Sequence, residues 1–138
     1  MTFKTENDTV ISCRTFKEKF VDTSKYIKLI KGVKIQLPIL LNEILDKAIV
    51  FAKREQGVEE LVDVYIEDKH ITIKSQSESS WFKERAKVIY EGEPISFSIA
   101  PNLLKDIISH TNECVLAGRL LQFQGADWIY VTSLMILK

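Results

Sequence analysis

The sequence predicts an α+β domain with two helices on one side of antiparallel sheets, and three observations carry that prediction. Residues 38 to 54 and 101 to 110 place apolar side chains at helical spacing, and each segment opens with a proline. Most of the remaining chain alternates as strands do. The order from residue 33 is strand, helix, three strands, then strand, helix, three strands again. A weak internal echo supports the doubling: PILLNEIL at 38 to 45 stands against PNLLKDII at 101 to 108.

In chain order, residues 9 to 16 and 19 to 29 are expected to supply one or two strands. Residues 33 to 37 (VKIQL) alternate and form the next. The first helix carries Leu41, Ile44, Leu45, Ala48, Ile49, Phe51 and Ala52 along one face. Residues 61 to 66 and 70 to 74 flank Glu67-Asp68-Lys69 as a hairpin. Residues 82 to 90 and 95 to 99 are strands around a Glu-Gly-Glu-Pro turn. The second helix buries Leu103, Leu104, Ile107 and Ile108 and stops near Thr111-Asn112. Strands at 114 to 116, 120 to 124 and 128 to 137 close the chain.

Composition narrows the function. With 138 residues, 46% hydrophobic and 28% charged, the chain suits one ordinary folded domain with a core. Lys plus Arg and Asp plus Glu are 19 each, so any nucleic-acid contact must come from local clustering of charge. No stretch approaches the length of a membrane-spanning helix, and the N-terminus lacks the order of a secretory signal. Cys13 and Cys114 show no metal spacing and read as reduced, half-buried thiols, which points to the cytoplasm.

Chemistry at a site is not visible. His70 and His110 are isolated, and Glu59, Glu60 and Asp63 read as a solvated strand start. There is no Gly-rich phosphate loop, nucleophile elbow or His-x-x-x-His pair, so neither an enzyme nor a cofactor is expected.

Local sequence resembles the bacterial DNA polymerase III beta-subunit sliding clamps over nearly the whole chain. In the stretch 11 to 29, Ser12, Arg14, Lys19, Phe20, Asp22, Tyr26, Lys28 and Leu29 are similar to the segment that closes that family's middle domain. Val21 stands where the family has proline, and Thr23-Ser24-Lys25 looks like a short insertion. LLNEILDKAIVFA, VYIEDKHITIKSQ, KVIYEGEPISFSIAPNLLKDII and DWIYVTSLMILK are similar, in that order, to elements of the third domain. The resemblance implies that residues 1 to 32 are terminal strands of a preceding clamp domain and 33 to 138 a third, C-terminal one.

It also implies a processivity factor that encircles duplex DNA and docks polymerase and clamp-loader peptides. Backbone-phosphate contacts would fall to Lys47, Lys53, Arg54 and Lys105, although charges at a helix end also serve the helix dipole. The peptide pocket would be built by Val21, Lys28, Leu29, Val131, Thr132 and Ser133, with Met135 close by. Ser133 stands where the family tail has methionine and Leu134 where it has proline, which makes the pocket more polar. Leu134 and Ile136 are expected in the core. The full-length protein would self-associate into a ring, whereas this chain is expected to be monomeric. The alternative is a stand-alone protein–protein interaction domain, with Trp81 and Phe82 as its anchor or as the start of a strand.

Overall fold

The computed structural model describes residues 2–7, 9–13, 22–28, 30–52 and 60–137. A short hairpin, β1 (Thr2–Lys4) and β2 (Val10–Ser12), comes first and forms a sheet of its own. Phe3, Val10 and Ile11 on it remain exposed. The first repeat follows as β3 (Val33–Gln36), α1 (Leu41–Ala52), β4 (Val62–Glu67), β5 (His70–Gln76), β6 (Trp81–Lys87) and β7 (Ile89–Tyr90). The second is β8 (Ile95–Ile99), α2 (Pro101–Ile108), β9 (Glu113–Ala117), β10 (Leu120–Gln124), β11 (Ile129–Ser133) and β12 (Met135–Ile136).

The two repeats exchange strands. One sheet runs β11-β10-β9-β3-β7 and the other β12-β8-β4-β5-β6. Substituting each strand by its counterpart in the other repeat turns one order into the other. The register obeys the same rule. Ile35 lies opposite Cys114 and Tyr90 in the first sheet, as Phe97 lies opposite Val64 and Ile136 in the second. Thr72 opposite Arg85 corresponds to Gln122 opposite Val131. The doubling is therefore a property of hydrogen-bonded pairing and not only of helix sequence.

Each repeat hands its last strand across at one buried residue. Val88 separates β6 from β7, and Leu134 separates β11 from β12. The Val88 N–H donates to the Lys69 carbonyl at 3.0 Å, and the Leu134 N–H donates to the Arg119 carbonyl at 2.7 Å. Those acceptors sit at the same place in the two hairpin turns. Asp68 and Lys69 both adopt positive φ, as a tight two-residue hairpin turn with right-handed strand twist demands.

The core lies between the helices and the inner sheet faces. Leu41, Ile44, Leu45 and Ala48 of α1 meet Val62, Val64, Ile71 and Ile73, and α1 packs on β4, β5 and β6. Leu104 and Ile107 of α2 join Cys114, Leu121 and Phe123 in the same cluster. Leu134 is buried and Ile136 packs against the core.

Four expectations need correction. The first helix begins at Leu41, because 38 to 40 form a turn in which the Leu41 N–H donates to the Pro38 carbonyl at 2.9 Å. The strands expected at 82 to 90 and 128 to 137 each break in two, since alternation continues through Val88 and Leu134 while hydrogen bonding changes sheet. In the expected strand at 19 to 29, the described residues 22 to 28 are a turn. The Ser24 N–H donates to Asp22 Oδ1 at 3.0 Å, and Tyr26 bonds back to Thr23. The Ser24 hydroxyl, together with that N–H, holds the Asp22 carboxyl below its ordinary pKa. Finally, Cys13 is exposed, whereas Cys114 is buried and its thiol is pushed up to about 12 by desolvation.

One buried hydroxyl is out of balance. Ser75 faces inward on β5, and its Oγ has no hydrogen-bond partner among the described residues. Ser75→Ala is expected to raise stability by about 1 kcal/mol in chemical denaturation, because an unsatisfied polar atom leaves the interior.

Candidate functional site

The site grows from Gln122, a residue that the sequence did not single out. Strand β10 reads Leu-Leu-Gln-Phe-Gln, so Leu121 and Phe123 point into the core and Gln122 points outward. Gln122 is nevertheless only 2% exposed, because the chain entering β3 lies across it. Its Oε1 accepts from the Ile30 N–H at 3.1 Å and its Nε2 donates to the Lys28 carbonyl at 2.9 Å. The connector then passes Val115 and joins β3 at Gly32. A β-carbon at Gly32 would stand 2.1 Å from the Leu116 carbonyl oxygen, so only glycine fits.

Val131 lies directly opposite Gln122 and shares its outer face, and Ser133 shares that face opposite Leu120. Val131 is thus the cross-strand neighbour of the residue that holds the Lys28 connector, and Ser133 follows on the same face. Thr132 pairs with the buried Leu121 and takes the inner face. Met135 is exposed on β12 in the other sheet, opposite Ser98. The expected docking residues thus divide: Lys28, Val131 and Ser133 gather around Gln122, while Thr132 and Met135 do not join them. Val21 and Leu29 lie outside the described residues.

The two repeats differ at this face. The row Val115–Gln122–Val131 corresponds to Tyr65–Thr72–Arg85 in the second sheet. There the row is polar, with Lys74 Nζ 4.0 Å over the Tyr65 ring. The neighbouring Ser98 Oγ donates to Asp63 at 2.6 Å. The first row is apolar at its flanks where the connector covers it.

The helices present the second candidate surface. They pack side by side, and an ion pair between Lys105 of α2 and Asp46 of α1 bridges them. Lys47 is paired with Glu84 at 3.0 Å. Both expected phosphate-contacting lysines on described residues are therefore engaged with carboxylates. Around them stand the exposed Glu43, Asp46 and Asp106, so this part of the face is not basic. Lys53 and Arg54 lie outside the described residues.

The aromatic pair after the polar loop also divides. Phe82 turns to the helix side and stacks on Phe51 with ring centroids 5.6 Å apart. Trp81 begins β6 but is 73% exposed. It heads an outward row with Lys83, Arg85 and Lys87 on the free edge of the second sheet.

Among the described residues no three His, Cys, Asp or Glu side chains are grouped to hold a metal ion. No helix there is long and apolar enough to cross a membrane.

No family model matches the sequence, and no curated protein matches it by sequence. Solved structures do match. The DNA polymerase III beta subunit of Pseudomonas aeruginosa aligns at TM-score 0.69 and 16% identity over 88% of this chain. That of Thermotoga maritima aligns at 0.68 and 22% over 88%, and that of Bartonella birtlesii, bound to griselimycin, at 0.69 and 18% over 88%. This chain spans 36%, 35% and 35% of those three proteins. Two helices beside a pair of strand-exchanged antiparallel sheets thus make the α+β sliding-clamp fold of the bacterial DNA polymerase III beta subunit.

Proposed function

We propose that this chain is a unit of a DNA sliding clamp, a non-catalytic processivity factor of DNA replication that works in the cytoplasm. The observation that carries the proposal is the doubled, strand-exchanged architecture with its two helices side by side. In this reading residues 33 to 138 are a clamp domain and residues 1 to 32 are the end of a preceding one. The exposed apolar residues on the β1–β2 hairpin support that division, because a two-stranded ribbon is not stable without something to pack on. The face around Gln122 docks the short apolar peptides of polymerase and clamp loader, with Val131 as floor and the Lys28 connector as wall. The free β6 edge, seven residues long, is the strand best placed for the ring junction. Without the rest of the ring this chain is a monomer in dilute solution.

Duplex DNA would pass along the helices, held by phosphate contacts that carry no sequence information. Since Lys47 and Lys105 already pair with Glu84 and Asp46, Lys53 and Arg54 carry the larger share. The test is equilibrium binding of a 20-base-pair duplex to the chain at stepped low salt. Replacing both Lys53 and Arg54 by Ala is expected to reduce the log–log salt slope by about 1.8. Replacing Lys47 and Lys105 is expected to change it by less. No salt-dependent binding at all, or the reverse ranking, would contradict this part of the proposal.

The exposed Trp81 favours one other reading, an interaction domain with no DNA role that uses the β6 edge for a different partner. The same DNA titration separates the two.

A further inference from the structure

The sheet crossing at Val88 opens a second concave surface, at the β7 edge of the first sheet and away from Gln122 on β10. Leu37, Pro38, Ile39, Val88 and Ile89 line a groove of about 590 Å³. Ile39 is 87% exposed and Ile89 65%, so two large aliphatic side chains stand in water at its lip. Apolar side chains grouped around a concavity in this way mark a contact surface more often than singly scattered ones do. Neither side chain gains anything from its position in the isolated chain.

Three further observations define what would fill the groove. First, β7 (Ile89–Tyr90) is the outermost strand of its sheet, so its outer backbone N–H and C=O groups are available to an added strand. Second, the rim is basic: Lys69 and Lys87 are exposed and, among the described residues, make no ion pair, and Asp68 is the one acid that lines the groove, with Glu67 behind it opposite His70. His70, opposite Lys87 in the hairpin, is held by a 2.7 Å hydrogen bond between its Nδ1 and the Asp68 carbonyl. Third, Lys87, Val88 and Ile89 are the counterparts of Ser133, Leu134 and Met135 in the other repeat, where the same crossing presents a serine instead of a lysine. The other repeat keeps one cation, Arg119 in the place of Lys69, so only the first sets two lysines beside the crossing.

We propose that this groove is a separate docking site for an extended peptide that carries a bulky apolar anchor next to acidic residues. The peptide adds to the β7 edge, its anchor lies between Ile39 and Ile89, and its carboxylates meet Lys69 and Lys87. The site stands on this geometry alone and does not depend on the DNA role or on the Gln122 face.

The test is an amide chemical-shift titration of the chain with acetyl-Glu-Asp-Leu-Phe-Val-amide, repeated with acetyl-Gln-Asn-Leu-Phe-Val-amide. The expected result is saturable shifts at Lys69, His70, Val88 and Ile89, with the acidic peptide binding about tenfold tighter at low salt. Lys87→Glu should remove that preference and Ile89→Glu should abolish binding. Both positions are exposed, so folding is retained, and an unchanged spectrum elsewhere verifies it. Equal affinity for the two peptides, or no shifts at millimolar peptide, overturns the proposal. Shifts of the same amides with protein concentration alone also overturn it, because the groove's occupant would then be a second copy of the chain.

Discussion

Phe123→Ala is expected to destabilise the chain by about 3–5 kcal/mol, which for a domain of ordinary stability is a large part of the total. Phe123 is 0% exposed and occupies the inner face of β10, opposite Cys114 on one side and Tyr130 on the other. It therefore ties β9 and β11 to the same core, and removing the ring leaves a cavity that strands locked in register cannot close. Urea unfolding followed by circular dichroism measures the change, with the midpoint falling and the slope unchanged. Trp81→Ala serves as the comparison. It removes a larger side chain, but one exposed to solvent, and should move stability by no more than about 0.5 kcal/mol. Equal effects at the two positions would contradict the assignment of inner and outer sheet faces.

The second large effect is expected at Gln122. Its amide satisfies one donor and one acceptor of the connector, the Ile30 N–H and the Lys28 carbonyl. Gln122→Ala strips both partners at once and should cost about 1–3 kcal/mol, since half-buried backbone groups are left unpaired. Its local signature is faster hydrogen exchange of the Ile30 amide, with the Phe123 and Leu121 amides less affected. Gln122→Glu should be no better than Ala. A carboxylate can still accept from Ile30, but it places a second acceptor against the Lys28 carbonyl. Undisturbed exchange at Ile30 in both variants would mean that the connector is held by something other than this amide.

How far the sequence could be read follows from where each kind of information resides. Leu41, Ile44, Leu45 and Ala48 repeat at helical spacing, and the buried face of α1 follows that stripe. The two prolines mark the helix starts to within three residues, and the difference at Pro38 is a single turn bonded i to i+3. Alternation located β4, β5, β8 and β10, because each keeps one face in the core from end to end. It failed at Val88 and Leu134. Both are apolar and fall in step with their neighbours, so a change of hydrogen-bonding partner leaves no trace in the pattern. The exchange of strands between repeats was hidden for the same reason: pairing order is a tertiary property.

The candidate site was half visible. The resemblance to sliding clamps directed attention to residues 131 to 135, and register then kept Val131 and Ser133 together while turning Thr132 inward. Gln122 was missed because its partners are backbone groups 92 and 94 residues away. Nothing in a Leu-Leu-Gln-Phe-Gln strand shows that its central glutamine is covered. The ion pairs that occupy Lys47 and Lys105 were equally unreadable, since Glu84 and Asp46 meet them only through sheet and helix packing. Trp81 combines the two alternatives, starting a strand and still facing water. On an exposed edge the outward position is available to any side chain.

The docking of clamp-binding peptides on the Gln122 face, as proposed, is open to direct test. The most direct measurement is a residue-resolved titration of the labelled chain with the clamp-binding peptide Gln-Leu-Ser-Leu-Phe. The expected result is saturable amide shifts concentrated at Lys28, Gln122, Val131 and Ser133, with Val131→Glu eliminating them while the core amides stay in place. No shifts at millimolar peptide, or shifts confined to the β7 groove, would contradict it.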